Sequence, residues 1–367
     1  MKTVNRRQWL QSSVTAAAGF PFLMNVRQTR APLSGTDELR LNSNENPHGP
    51  SQKVLDAISA SMSKGNLYPW SDKEVLRQHL SDFEGMPLDH IYIGAGSTEI
   101  LQVAAMAFGL QRGKVVSCYP TFPVLMQKAA DFSAEWLKLD LKDHHYDLQT
   151  LADHCDDKTS MVYICNPNNP TGTRLDAGEL KQFAREISKR TMVFVDEAYI
   201  EFSEDGLVTS LASMVRDEPN IIVARTFSKI YGMAGLRIGY AYAHPDTLMT
   251  MRKHRIGYGM NVPMTSLHAA MAALDDQDFV AYCRKENNKA RDIACAAFKE
   301  WEVHYVPSHT SFIYFKHDRF NGNLQKQLHA RNILIRTYRD QPEYSRVSIG
   351  TVEQMEMFVD ACKKFLG

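Results

Sequence analysis

Between residues 90 and 243 short apolar runs alternate with amphipathic stretches, a pattern that predicts a mostly parallel sheet covered on both faces. Ile91-Tyr92-Ile93 reads as a strand entering the turn Gly94-Ala95-Gly96-Ser97-Thr98-Glu99, and a helix follows with Ile100, Leu101, Val103, Ala104 and Phe108. Val115 to Cys118, Trp136 to Leu141, Met161 to Cys165, Met192 to Val195, Ile221 to Ala224 and Leu236 to Ala243 read as further strands. Helices are predicted from about Val124 and over Ala177 to Ile187. Nearer the amino terminus, Ser51 is expected to cap a helix with Val54, Leu55, Ile58 and Met62 on one face. Val75, Leu76, Leu80 and Phe83 mark a second amphipathic helix. From Met264 the pattern changes to a long helix through Phe298, then strands at Val303 to Val306, Phe312 to Phe315 and Arg346 to Ile349. Helices over Leu324 to Ala330 and Val352 to Phe365 complete a tail that reads as a smaller α+β domain.

Composition narrows this little. The 367 residues carry 42 basic and 42 acidic side chains, so the formal net charge is zero and no electrostatic footprint for nucleic acid exists. No apolar run reaches the roughly 18 residues of a membrane span. Cys118, Cys155, Cys165, Cys283, Cys295 and Cys362 form no Cys-x-x-Cys and have no histidine at zinc spacing, so buried free thiols are expected rather than a metal site or a disulfide framework. The first residues change the picture more. Asn5-Arg6-Arg7-Gln8-Trp9-Leu10 followed by the weakly hydrophobic Val14 to Met24 resembles a twin-arginine export signal. Residues 1–30 are therefore assigned to a leader, with export through the twin-arginine machinery to the periplasm, or a cytoplasmic location if the leader is not functional.

Candidate chemistry gathers at the strand ends. A strand, a glycine turn and a helix start make Gly96-Ser97-Thr98 a cradle for an anion, because the first backbone N–H groups of a helix have no internal partner. Glu99 occupies the third glycine position of Gly-x-Gly-x-x-Gly, which argues against a dinucleotide fingerprint. Asn166-Pro167-Asn168-Asn169-Pro170-Thr171-Gly172 forms a rigid turn at the end of one apolar strand, where α/β sheets bind ligands. Asp196 leaves another, and a buried acid needs a partner. Arg225-Thr226-Phe227-Ser228-Lys229 leaves a third, ahead of Ala234-Gly235-Leu236-Arg237. A lysine of lowered pKa can hold a carbonyl cofactor covalently, and the neighbouring hydroxyls and arginine suit a phosphate. Taken alone, Lys229 reads as a solvated loop charge.

In this order, Asn-Glu-Asn-Pro-x-Gly, Asn-Asn-Pro-Thr-Gly, Asp-Glu-Ala-Tyr and Ser-Lys followed by Ala-Gly-Leu-Arg, the motifs resemble those of the fold-type I pyridoxal-phosphate aminotransferases, most of all the histidinol-phosphate aminotransferase subgroup, over residues 38–366. The resemblance implies a large domain (67–260) built on a mostly parallel seven-stranded sheet, a small α+β domain (261–367), and a segment (31–66) packing with the small domain. It implies pyridoxal 5'-phosphate as cofactor, amino-group transfer from an amino donor to an oxo-acid acceptor, between the glutamate/2-oxoglutarate pair and histidinol phosphate or a related amine or aromatic amino acid, and a homodimer with shared sites. Lys229 would carry the cofactor and move the Cα proton, and Asp196 would pair with the pyridine nitrogen. Asn169 and Tyr199 would bond the 3'-oxygen, and Phe122 would stack on the ring. Ser97, Thr98, Thr226, Ser228 and Arg237 would hold the phosphate, with Tyr68 reaching that of the neighbouring subunit. Arg346 and Arg336 would bind substrate anions, with Asn44 as a further substrate contact. His48 and Trp70 depart from the subgroup's pattern beside the expected channel. Two alternatives share the cofactor residues: a decarboxylase of the phosphothreonine type, and an exported pyridoxal-phosphate-binding protein without turnover.

Overall fold

The computed structural model describes residues 38–367 except Arg112, Glu204 and Ile256, so the leader lies outside the described residues. The chain runs through β1 (Leu39–Arg40), α1 (Gln52–Ser61), α2 (Trp70–Glu84), β2 (Ile91–Gly94), α3 (Ser97–Ala104), β3 (Lys114–Tyr119), α4 (Val124–Ala130), β4 (Glu135–Asp140), α5 (Leu148–Asp153) and β5 (Thr159–Cys165). Next come α6 (Ala177–Ile187), β6 (Met192–Asp196), β7 (Ile221–Thr226), β8 (Gly239–Ala243), α7 (Pro245–Arg252), α8 (Met264–Leu274) and α9 (Gln277–Glu300). The last elements are β9 (Tyr305–Val306), β10 (Phe312–Lys316), α10 (Leu324–His329), β11 (Ile333–Leu334), β12 (Arg336–Thr337), β13 (Tyr344–Ser348) and α11 (Val352–Lys363).

Seven strands form the main sheet in the order β2-β8-β7-β6-β5-β3-β4. Only β8 runs against its neighbours, pairing antiparallel with β2 and β7. Period-two alternation explains why both faces are buried. Val162, Ile164, Val193, Val195, Ile221 and Val223 enter one apolar cluster with α1, α2, α6 and α8. Met161, Tyr163, Met192, Phe194, Ile222 and Ala224 enter another under α3, α4 and α7. A third cluster joins α9, α10, α11 and the strands of a four-stranded sheet, β12-β13-β10-β9. Leu39 and Leu41 belong to it, because β1 pairs in parallel with β11 near the far end of the chain.

Two of the element boundaries that differ from expectation have a clear physical reason. The long helix expected from Met264 breaks at Asp275–Asp276, where two acids fall at a helix carboxyl end and Asp276 leaves helical geometry (φ −110°, ψ 58°) to pair with Lys53 at 3.0 Å. The strand expected from Leu236 begins only at Gly239, because 234–236 form a tight turn and Arg237 is left-handed at φ +49°. A non-glycine residue held there is sparsely populated, which fits a side chain whose position matters.

Candidate active site

The topology brings one end of the sheet together. The carboxyl ends of β2, β5, β6 and β7 lie side by side, and antiparallel β8 contributes its amino end, since Gly239 pairs with both Gly94 and Thr226. A cavity of about 660 Å³ opens there, against the small sheet. Ser97, Thr98, Phe122, Asn169, Asp196, Tyr199, Thr226, Ser228, Lys229 and Arg237 all line it, as do Asn44, Arg336 and Arg346. Tyr68 does not: it is 76% exposed, outside the cavity.

At the cradle, Gly96 (φ +80°) precedes α3, and the Arg237 guanidinium packs so closely on it that a Cβ there would meet Arg237 Nη2 at 2.6 Å. Arg237 donates to Ala234 O at 2.9 Å. Thr226 Oγ1 donates to Ser228 Oγ (2.9 Å) and accepts from the Ser228 N–H. Glu99, at the third position of that glycine pattern, has a structural use. Its carboxylate accepts from Ala95 N and from Asn261 Nδ2, each at 2.5 Å, and holds the turn shut from behind.

Under the cavity Asp196 is 2% exposed. It accepts from Tyr163 Oη (3.1 Å) and from Ala198 N (3.2 Å), and no cation stands within salt-bridge reach among the described residues. Burial therefore raises its carboxyl to about 6 despite those hydrogen bonds. Tyr163 was not foreseen, although the register was the available signal: it sits two residues before Cys165, which pairs with Asp196.

Lys229 Nζ donates to Asn44 O at 3.2 Å and stands 5.4 Å from the centre of the Tyr199 ring. Burial, and then the charge of Arg346, lowers its ammonium to about 8. Asn44 Nδ2 donates to Tyr199 Oη at 2.9 Å, while Ser348 holds the Asn44 backbone and side chain. On the small-sheet side Arg346 donates to Asn169 Oδ1 (2.6 Å) and to Asn42 O (2.8 Å), leaving its Nε buried without a partner. Among the described residues neither Arg346 nor Arg336 meets a carboxylate within 4.0 Å, which leaves both cations to an anion. The outer wall adds Tyr119, Trp136, Lys138 and Asp340, none of which stood out in the sequence.

This geometry fits pyridoxal phosphate. A buried carboxylate lacking a cation suits a protonated ring nitrogen, and hydroxyls, helix N–H groups and an arginine suit a phosphate. An amine of lowered pKa lies in the same cavity.

The family model described as aminotransferase class I and II matches residues 36–362. A histidinol-phosphate aminotransferase of Brevibacillus brevis is 34% identical over 333 residues, 90% of this chain and 91% of its own length. Among solved structures, the histidinol-phosphate aminotransferase of Sinorhizobium meliloti in complex with pyridoxal-5'-phosphate superposes with a TM-score of 0.83 at 24% identity, covering 95% of this chain and 98% of that one. The L-threonine-O-3-phosphate decarboxylase of Porphyromonas gingivalis shares the fold, with a TM-score of 0.77 at 21% identity over 89% of this chain and 98% of that one.

Proposed function

The chain belongs to the class I and II aminotransferases and is a pyridoxal-phosphate-dependent transaminase, and from that premise we propose that it moves an amino group between the glutamate/2-oxoglutarate pair and histidinol phosphate or a related amine or aromatic amino acid. The observation that carries the substrate reading is the pair of arginines, Arg336 and Arg346, lining one cavity with Lys229 and, among the described residues, ion-paired with no carboxylate within 4.0 Å. A guanidinium fork accepts a carboxylate or a phosphate equally well, so one site serves both half-reactions.

Pyridoxal phosphate, when bound, supplies a carbonyl for the substrate's amine and a ring that accepts electrons as the Cα proton leaves. The chain supplies position and protons. Ser97, Thr98, Thr226, Ser228 and Arg237 would bind the phosphate, and Phe122 would cover the ring face. Asp196 would hold positive charge at the ring nitrogen. Asn169 and Tyr199 would bond the ring oxygen. Lys229 Nζ, its pKa lowered to about 8, would take up and hand on the substrate's Cα proton. Arg346 would orient the substrate anion.

The deciding experiment is a single-turnover screen of the yellow holoenzyme with histidinol phosphate, glutamate and aromatic amino acids, following the visible band. Loss of the yellow band with glutamate and with histidinol phosphate is expected. Carbon dioxide release from O-phosphothreonine without loss of that band would favour the decarboxylase instead, and no chromophore sensitive to borohydride would undo the cofactor.

Two further readings rest on less. A homodimer is supported by exposed Met62, Leu67, Tyr68 and Trp70 in one stretch beside α1 and α2; a monomer by light scattering would end it. The export reading rests on Arg6-Arg7 and the segment after it. Its test is whether protein lacking residues 1–30 stays out of the periplasmic fraction.

A further inference from the structure

The outer wall of the cavity has its own chemistry. Tyr119 ends β3, while Trp136 and Lys138 lie on β4, the sheet edge farthest from the cradle strands β2 and β8. Tyr119 and Trp136 meet edge to face with centroids 5.7 Å apart. Lys138 Nζ covers both rings, 4.9 Å from the first and 4.3 Å from the second. Asp340, on the loop after β12, reaches across from the small sheet, and the Tyr119 hydroxyl donates to its carboxylate. That hydrogen bond holds the Asp340 carboxyl below the usual carboxylate range, so it is ionised at neutral pH.

Three carboxylates line the cavity among the described residues. Glu45 is paired with Arg40 at 2.7 Å, and Asp196 lies buried beneath. Asp340 is therefore the acid that a substrate side chain meets at the rim, beside two aromatic faces. Tyr119 donates one hydrogen bond to it, and a carboxylate has about four acceptor sites.

We propose that Asp340, held in place by Tyr119, is a specificity-determining residue that accepts a hydrogen bond from a ring N–H or O–H on the side chain of the amino substrate. This rests on the transaminase reading and deepens it. A flat ring packs on Tyr119 and Trp136, its donor reaches Asp340, and the carboxylate or phosphate of the same molecule turns towards Arg336 and Arg346. Imidazole- and phenol-bearing amines then outrank phenylalanine, which offers Asp340 no donor.

The test compares wild type, Asp340→Ala, Asp340→Asn and Tyr119→Phe in the holoenzyme, with tyrosine, histidinol phosphate, phenylalanine and glutamate as amino donors. Asp340→Ala is expected to lower kcat/KM about tenfold for tyrosine and histidinol phosphate, mainly through KM, with phenylalanine and glutamate unchanged. Asp340→Asn retains an acceptor without the charge and falls between. Tyr119→Phe shifts the same ratio less, by freeing Asp340. Equilibrium binding gives a second readout: 3-(4-hydroxyphenyl)propionate should lose its advantage over 3-phenylpropionate in Asp340→Ala. An equal loss with all four donors would reduce the contact to a clasp between the two sheets, and an unmoved tyrosine-to-phenylalanine ratio would leave Asp340 no selective role; either overturns the proposal. A wild type inert towards every donor would instead overturn the transaminase reading, and the proposal with it.

Discussion

Lys229 stands in a conflict that its environment creates. The fold takes the ammonium out of water beside Arg346, and its pKa falls from 10.5 to about 8. A depressed folded-state pKa weakens the native state wherever the group is charged, so the penalty is complete below about pH 8 and fades as the pH rises towards 10.5. In the cofactor-free protein Lys229→Met should therefore raise the Tm by a few degrees at pH 7 and by almost nothing at pH 10.5, while abolishing transamination. Thermal scans at the two pH values check it; an equal gain at both would mean that packing, not charge, is responsible. Asp196 was legible because an acid leaving an apolar strand violates local pattern, and Lys229, a loop charge when taken alone, became legible through the motifs around it. Tyr163 and Asp340 violated nothing. One is an aromatic in a strand and the other an acid in a loop, and only register and folding bring them to the site.

At the scale of elements, β7 carries the larger anomaly. Arg225 is fully buried within that strand. Its Nε donates to Glu197 at 3.0 Å, its Nη2 donates to Ser210 Oγ at 2.7 Å, and its Nη1 meets Glu84 at the end of α2. The network ties β7, β6 and α2 together directly behind the Ser228-Lys229 turn. Replacing Arg225 by Met leaves the buried Glu197 side chain without its guanidinium partner, and should destabilise the protein by about 3–5 kcal/mol. The urea midpoint measures this, and a loss below about 1 kcal/mol would show that the network is not what holds these elements together. The sequence revealed β7 as a strand but not this network, since its partners come from three separate segments. The break between α8 and α9 was hidden for the same reason. Apolar spacing continues on both sides of Asp275–Asp276, and the tie to Lys53 comes from α1.

For the whole molecule, the alternation of apolar runs made the covered parallel sheet legible and the family resemblance gave its seven strands, whereas the strand order came only with the structure, because neighbours in a sheet are long-range choices. What neither conveyed is how the two sheets share the site through the segment 42–51. It leaves β1, sets Asn44 on Tyr199 and Lys229, and crosses to α1, with Asn46 Nδ2 donating to Ile230 O at 2.7 Å. Its closest approach is at Gly232 (φ +71°), where a Cβ would stand 2.1 Å from Gly49 O. Backbone cannot yield as a side chain does, so Gly232→Ala should cost about 1–3 kcal/mol and lift Asn44 away from Lys229. A raised KM together with a lowered Tm checks both parts.

The pairing of β1 with β11 also sets a clock. Leu39 and Arg40 leave the ribosome early, yet their partners Ile333 and Leu334 are made almost three hundred residues later. Until then Asn44 is held over Lys229 from one side only, through Tyr199 and the Asn46 contact with Ile230, however complete the central sheet has become. Cofactor capture by the finished site therefore belongs after translation, and a ribosome-bound chain stopped before residue 333 should hold pyridoxal phosphate more loosely than the released protein.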